Sequence, residues 1–150
     1  MQVNFKKQYN AVILYSRQDR GRAEALLTRL RDIYSEHVRF QIALFDDPQF
    51  SSLEEALQMS AVALLLLTED FCENAWPTLC NNSALMQSLY TKNPCTIIPV
   101  VMPNDLNVKV SIPMGLKCLK RLPLEFEDDL VKRCFSMALE EGTCEMGILK

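Results

Sequence analysis

Three groups of side chains in this chain have the types and spacing to do chemistry. Asp46 and Asp47 are adjacent carboxylates ahead of Pro48 at the end of an apolar run. They could serve a hard cation, but such a site needs further oxygen ligands, and a solvated turn fixed by the proline is the simpler reading. Glu69, Asp70 and Glu73 follow a second apolar run and precede the single tryptophan, Trp76. Acids in the opening turn of a helix complement its positive end, so this trio does not require a ligand. The third group is sulfur: Cys72, Cys80, Cys95, Cys118, Cys134 and Cys144 are widely spaced, mostly within apolar segments, and form no CxxC pair. That pattern fits reduced core thiols better than disulfides. With only His37 to join them, a zinc site is not expected; His37 has no candidate triad around it and reads as a surface or helix-capping residue.

Nucleotide chemistry is disfavoured on similar grounds. A Rossmann site needs a Gly-rich turn after the first strand, whereas the sequence there is SRQDRG with Gly21 alone, and no GxxxxGK[ST] motif occurs. A phosphotransfer receiver would want an acidic cluster after the first strand and an aspartate directly after the third. Here those positions read YSRQD and LLT. The net charge of -3 and the lack of a Lys/Arg-rich block argue against general nucleic-acid binding. No cofactor is implied. The opening MQVNFKKQYN has no apolar core of a signal peptide, and no apolar stretch approaches the roughly 20 residues of a membrane-spanning helix. A soluble, cytoplasmic chain without membrane insertion is the expectation.

These residues must be positioned by a framework. A chain of 150 residues, 49% hydrophobic and 23% charged with 4 Gly, describes one ordered domain over 1–150. AVILYS (Ala11 to Ser16) reads as a buried strand. Asp19 can cap the helix that follows, in which Ala23, Leu26, Leu27, Leu30, Ile33 and Tyr34 share a face. VRFQIALF (Val38 to Phe45) is a second strand. Ser51 and Ser52, three residues ahead of Glu54 and Glu55, form a capping-box pattern for a short helix through Leu53, Ala56, Leu57 and Met59.

AVALLLL (Ala61 to Leu67) is apolar on both faces and so central in a parallel sheet. Thr68 caps the next helix, which Pro77 should bend or restart near Trp76 before it continues through Leu79, Leu85, Met86 and Leu89. TIIPVV (Thr96 to Val101) is the fourth strand, MPNDLNVKVSIP a long loop, and Leu116 to Leu122 a short fifth, edge strand. Leu130, Val131, Cys134, Phe135 and Ala138 line a last helix that Gly142 can stop. Strand and helix alternation of this kind implies a doubly wound α/β fold of the flavodoxin-like type, with five mostly parallel strands and helices on both faces. Ligands or partners then meet the loops RQDRG, DDPQFSS and TEDFCENAW at the carboxyl ends of the strands.

In this order and spacing the segments resemble the Toll/interleukin-1 receptor (TIR) domain family over nearly the whole chain. YNAVILYSRQD resembles the family's first box, SSLEEALQMSAVALLLLTEDFCENAW its second helix, central strand and tryptophan-bearing third helix, and IIPVVMP its fourth strand. Within the family, LLLLTEDF with the following W, ALMQSL and IIPVVMPNDL look most like the TRIF and TRAM branch of adaptors. The resemblance implies a cytoplasmic signalling adaptor of innate immunity that binds TIR domains of receptors or adaptors and self-assembles. It places the contact surfaces on Asp46, Asp47, Pro48, Gln49, Phe50 and Ser51 and on the third helix, including Glu73. A TIR module of a receptor or of a sensor fusion is the alternative that the flanking sequence would decide.

The departures from the family pattern carry information. The loop after the second strand often holds a Pro-Gly turn in a longer basic segment; DDPQFSS is short, acidic and glycine-free. Phe50 is either its exposed apolar anchor or a hydrophobic staple ahead of the Ser-capped helix. Some TIR domains cleave NAD at the nicotinamide bond with a glutamate four residues after the tryptophan, where a carboxylate stabilises an oxocarbenium-like state or positions the ribose hydroxyls. In this chain that position is Cys80, and a neutral thiol does neither, so NAD cleavage is not expected. A shifted helix register around Pro77 would be needed to bring Glu69, Asp70 or Glu73 into that role. Trp76 reads as a core residue under the third helix, with a place at an interface as the alternative.

Overall fold

Seven consecutive buried residues, Ser60–Leu66, form the strand β3 around which the rest of the domain is arranged. The computed structural model describes residues 8–35, 40–45, 52–102, 116, 119, 121, 122, 124 and 127–141. A strand buried on both faces needs a neighbour along each edge and helices on each side. β3 pairs in parallel with β1 (Tyr9–Leu14), aligning Ile13 with Leu64, and with β4 (Thr96–Val100), aligning Leu64 with Ile98. β1 pairs in parallel with β2 (Ile42–Leu44), so the order is β2-β1-β3-β4. This is the flavodoxin-like arrangement, and its topological switch point lies between β1 and β3.

Helices cover both faces. On one, Ala23, Leu26 and Leu30 of α1 (Arg20–Ile33) and Tyr34 just after it pack with the last helix, Asp128–Glu141, against Ile13, Leu64 and Ile98. On the other, Leu53, Ala56 and Leu57 of α2 (Leu53–Met59), with Phe71 and Leu85, pack against Val12, Leu14, Ala63 and Leu65. Ser52 caps α2 as expected, its hydroxyl accepting from the Glu55 N–H at 3.1 Å. Among the described residues, no helix is long and apolar enough to cross a membrane.

The second strand is shorter than its apolar run. Phe40 stacks on Tyr34 at 4.3 Å between ring centroids, and the Asn10 side chain accepts from the Gln41 N–H at 2.7 Å, so the ladder begins only at Ile42. The first strand starts earlier than expected, at Tyr9.

The helix after β3 also differs. A wide π turn, Phe71–Ala75, leads into α3 (Trp76–Leu79), and a separate α4 (Ser83–Thr91) follows. Pro77 has no N–H for the Glu73 carbonyl, and the turn just before it widens so that the Trp76 N–H reaches Phe71 O. The run expected to continue to Leu89 stops because Asn82 competes for the backbone, its Oδ1 accepting from the Leu85 N–H at 3.0 Å to cap α4.

Leu122 makes a single parallel bridge to Val100. The described sheet therefore has four strands rather than the five expected. In the last helix, α5 (Asp128–Glu141), the deepest residues are Val131, Phe135 and Leu139, whereas Leu130, expected on the core face, is exposed. The i, i+4, i+8 row that points inward begins one residue later than the sequence suggests. Cys134 and Ala138 flank that row and are partly buried against the core, as expected.

Candidate functional site

The carboxyl ends of β1 and β3 lie side by side at the switch point, and the residues just beyond them are polar. After β1 the chain turns through a short 3-10 segment, Arg17–Asp19, closed by the Asp19 N–H bonding to Ser16 O at 2.8 Å. After β3, Thr68 begins the helical stretch that contains the π turn, its Oγ1 accepting from the Phe71 N–H at 3.0 Å. Thr68 thus caps the helix as expected. The same hydroxyl donates to Asp19 Oδ2 at 2.5 Å, and both residues are buried.

Two further contacts complete this network. The Ser16 hydroxyl donates to the Asp70 carboxylate, whose other oxygen accepts from the Asn74 amide at 2.6 Å. Arg22, half exposed, pairs with Asp19 at 3.1 Å. Asp19 was expected to cap α1, yet its side chain makes no capping bond to that helix. Its carboxylate is needed by Thr68 and Arg22 instead. A carboxylate this buried is stable only with such donors. Sequence reasoning placed both loops on this edge but missed their direct connection; its signal is the pair S-R-Q-D and T-E-D, each following a buried strand.

No protein-family model matches the chain, and no curated protein matches it significantly.

Of the residues singled out as contact surface, Glu73 is exposed on the π turn. Asp46, Asp47, Pro48, Gln49, Phe50 and Ser51 lie outside the described residues, as do His37, Cys118 and Cys144. Cys80, at the end of α3, is half-buried, and its thiol donates to Pro77 O at 3.3 Å. Asp70 and Glu73 lie further back along the chain, with Asp70 engaged by Ser16 and Asn74. Trp76 is only partly buried, packed against the cluster that contains Leu65, Phe71 and Leu85, so it is less enclosed than expected of a core residue.

Cys72 and Cys95 are buried free thiols, and Cys80 and Cys134 are half-buried free thiols. Burial pushes the Cys72 thiol above its ordinary pKa, and the neighbouring Glu73 carboxylate adds to the rise. Both effects keep it neutral and unreactive. Among the described residues no group of three or more His, Cys, Asp or Glu side chains is placed to hold a metal ion.

Proposed function

We propose that this chain is a TIR-type signalling adaptor domain of the cytoplasm that works by association with other TIR domains and by self-assembly, without cleaving NAD. The observation that carries this reading is the network at the switch point. In α/β domains that use small ligands, this crevice is where backbone and side chains meet the ligand. Here Thr68 closes on Asp19 and Ser16 on Asp70, so the polar groups at the two strand ends are engaged with one another.

Two features support it further. Cys80 stands where the family's catalytic glutamate would be, and its thiol is turned onto a carbonyl of its own helix. Around the closed network, Arg17, Glu69 and Glu73 are exposed charges of the kind that steer transient association. Individual interfaces of this class are modest, and signalling through them depends on many copies acting together.

Binding to receptor and adaptor TIR domains, measured by titration alongside light scattering of the chain alone, tests the reading. Association is expected, and it should fall on Phe50→Ala and on Pro48→His while the circular dichroism spectrum stays that of the parent. A chain that neither binds TIR domains nor self-associates at high concentration contradicts it.

A further inference from the structure

Among the described residues, the loops that follow β1 and β3 at the carboxyl end of the sheet carry opposite exposed charges in two adjoining halves. On the β1 side the exposed residues are cationic: Arg17 in the 3-10 turn, then Arg20 and Arg22 at the start of α1. On the β3 side the exposed Glu69 opens the helical stretch after Thr68, and the exposed Glu73 stands on its π turn. Arg20 is shared with Glu24 at 3.0 Å and Arg22 with Asp19, whereas Arg17, Glu69 and Glu73 make no ion pair among the described residues. The halves are tied across the sheet by the bonds of Ser16 to Asp70 and of Thr68 to Asp19, so their spacing is fixed by the fold rather than by mobile side chains.

Gly21 lies between the arginines. It is exposed in the first turn of α1, and a Cβ built there meets nothing within 4 Å, so no packing among the described residues requires a glycine. Glycine weakens a helix and gains its use where another backbone comes close.

A positive half beside a negative half is complementary to its own image under a two-fold rotation, which lays each half over the opposite one. We propose that a second copy of this chain docks on the carboxyl end of the sheet about a two-fold axis, with Arg17 of each copy meeting Glu73 of the other and the bare backbone at Gly21 allowing the close approach. This rests on the self-assembly reading above and names residues for it on the loops after β1 and β3. The contact is electrostatic and exposed at its rim, so it weakens as salt rises.

Sedimentation equilibrium of the full chain at low and high salt tests the pairing through charge reversal. Arg17→Glu and Glu73→Arg should each weaken self-association at low salt by about ten-fold or more, since each sets like charges against one another twice in the dimer. An equimolar mixture of the two variants restores opposite charges at both contacts and should associate like the parent, as should the double variant R17E/E73R. Single variants that associate as the parent does, or a mixture that stays as weak as its components, overturn the two-fold pairing while leaving self-assembly in place. A parent chain that is monomeric at every concentration overturns both.

Discussion

The two ends of the parallel sheet treat their buried polar groups differently. At the carboxyl end, Ser16, Asp19, Thr68 and Asp70 are matched donor to acceptor across the gap between β1 and β3. At the amino end the buried Asn10 side chain accepts from the Gln41 N–H, but the hydroxyls of Ser60 and Thr96, the first residues of β3 and β4, are buried and have no hydrogen-bond partner among the described residues. Paired groups make a cooperative unit whose members are costly to lose singly, whereas an isolated buried hydroxyl costs desolvation and returns nothing. The carboxyl end is therefore where buried hydroxyls are matched across two strands, next to the exposed charges of Arg17, Glu69 and Glu73.

Mutation should separate the two ends by sign. The largest effect is expected from Asp19→Ala, which leaves the buried Thr68 O–H without its acceptor and loses that charge-assisted bond. A loss of about 2 kcal/mol in urea unfolding is predicted. Most of that comes from Thr68, because Arg22 is half exposed and its ion pair is worth little. Asn82→Ala removes the cap of α4 and should cost about 1 kcal/mol.

Asn82 also gives a pH test. The Glu54 carboxyl is held below its ordinary pKa, first by its own backbone N–H and then by the Asn82 amide, which donates at 2.8 Å. A depressed carboxylate adds stability above its unfolded pKa and loses it as pH falls through the lower folded value. NMR titration should find the Glu54 midpoint moved upward in Asn82→Ala.

At the amino end the sign reverses: Thr96→Val keeps the β-branched shape, removes the unmatched hydroxyl and should raise stability by about 1 kcal/mol. A loss there of the size predicted for Asp19→Ala would break the contrast between the ends. The smallest effect is Gly21→Ala, for which open space and the helical backbone predict a gain of about 0.5 kcal/mol in thermal unfolding.

What the sequence made legible follows from range. The run around LLLL announced a strand buried on both faces, and β3 is that strand. The 3.6-residue spacing of Ala23, Leu26 and Leu30 and the hydroxyl of Ser52 act within a few residues, and α1 and the α2 cap formed as read. The bond of Thr68 to Asp19 joins positions 49 apart in the chain, and periodicity carries no information on such a pair. The signal for the break between α3 and α4 is Asn82, whose side chain caps α4, and the apolar spacing of Leu79, Leu85 and Leu89 does not reveal it. Of the contact residues, only Glu73 could be placed on the surface; the exposed arginines of the loop after β1 share its edge through the β1 and β3 pairing rather than through any motif.

The central claim is that this strand end meets protein rather than breaking a nucleotide. Nicotinamide release from NAD, measured on samples that light scattering shows to be assembled and with Cys80→Glu in parallel, tests it most directly. The account predicts no release by the assembled parent chain. Nicotinamide release by the parent would contradict it and would send the search for a catalytic carboxylate to Glu69, Asp70 and Glu73.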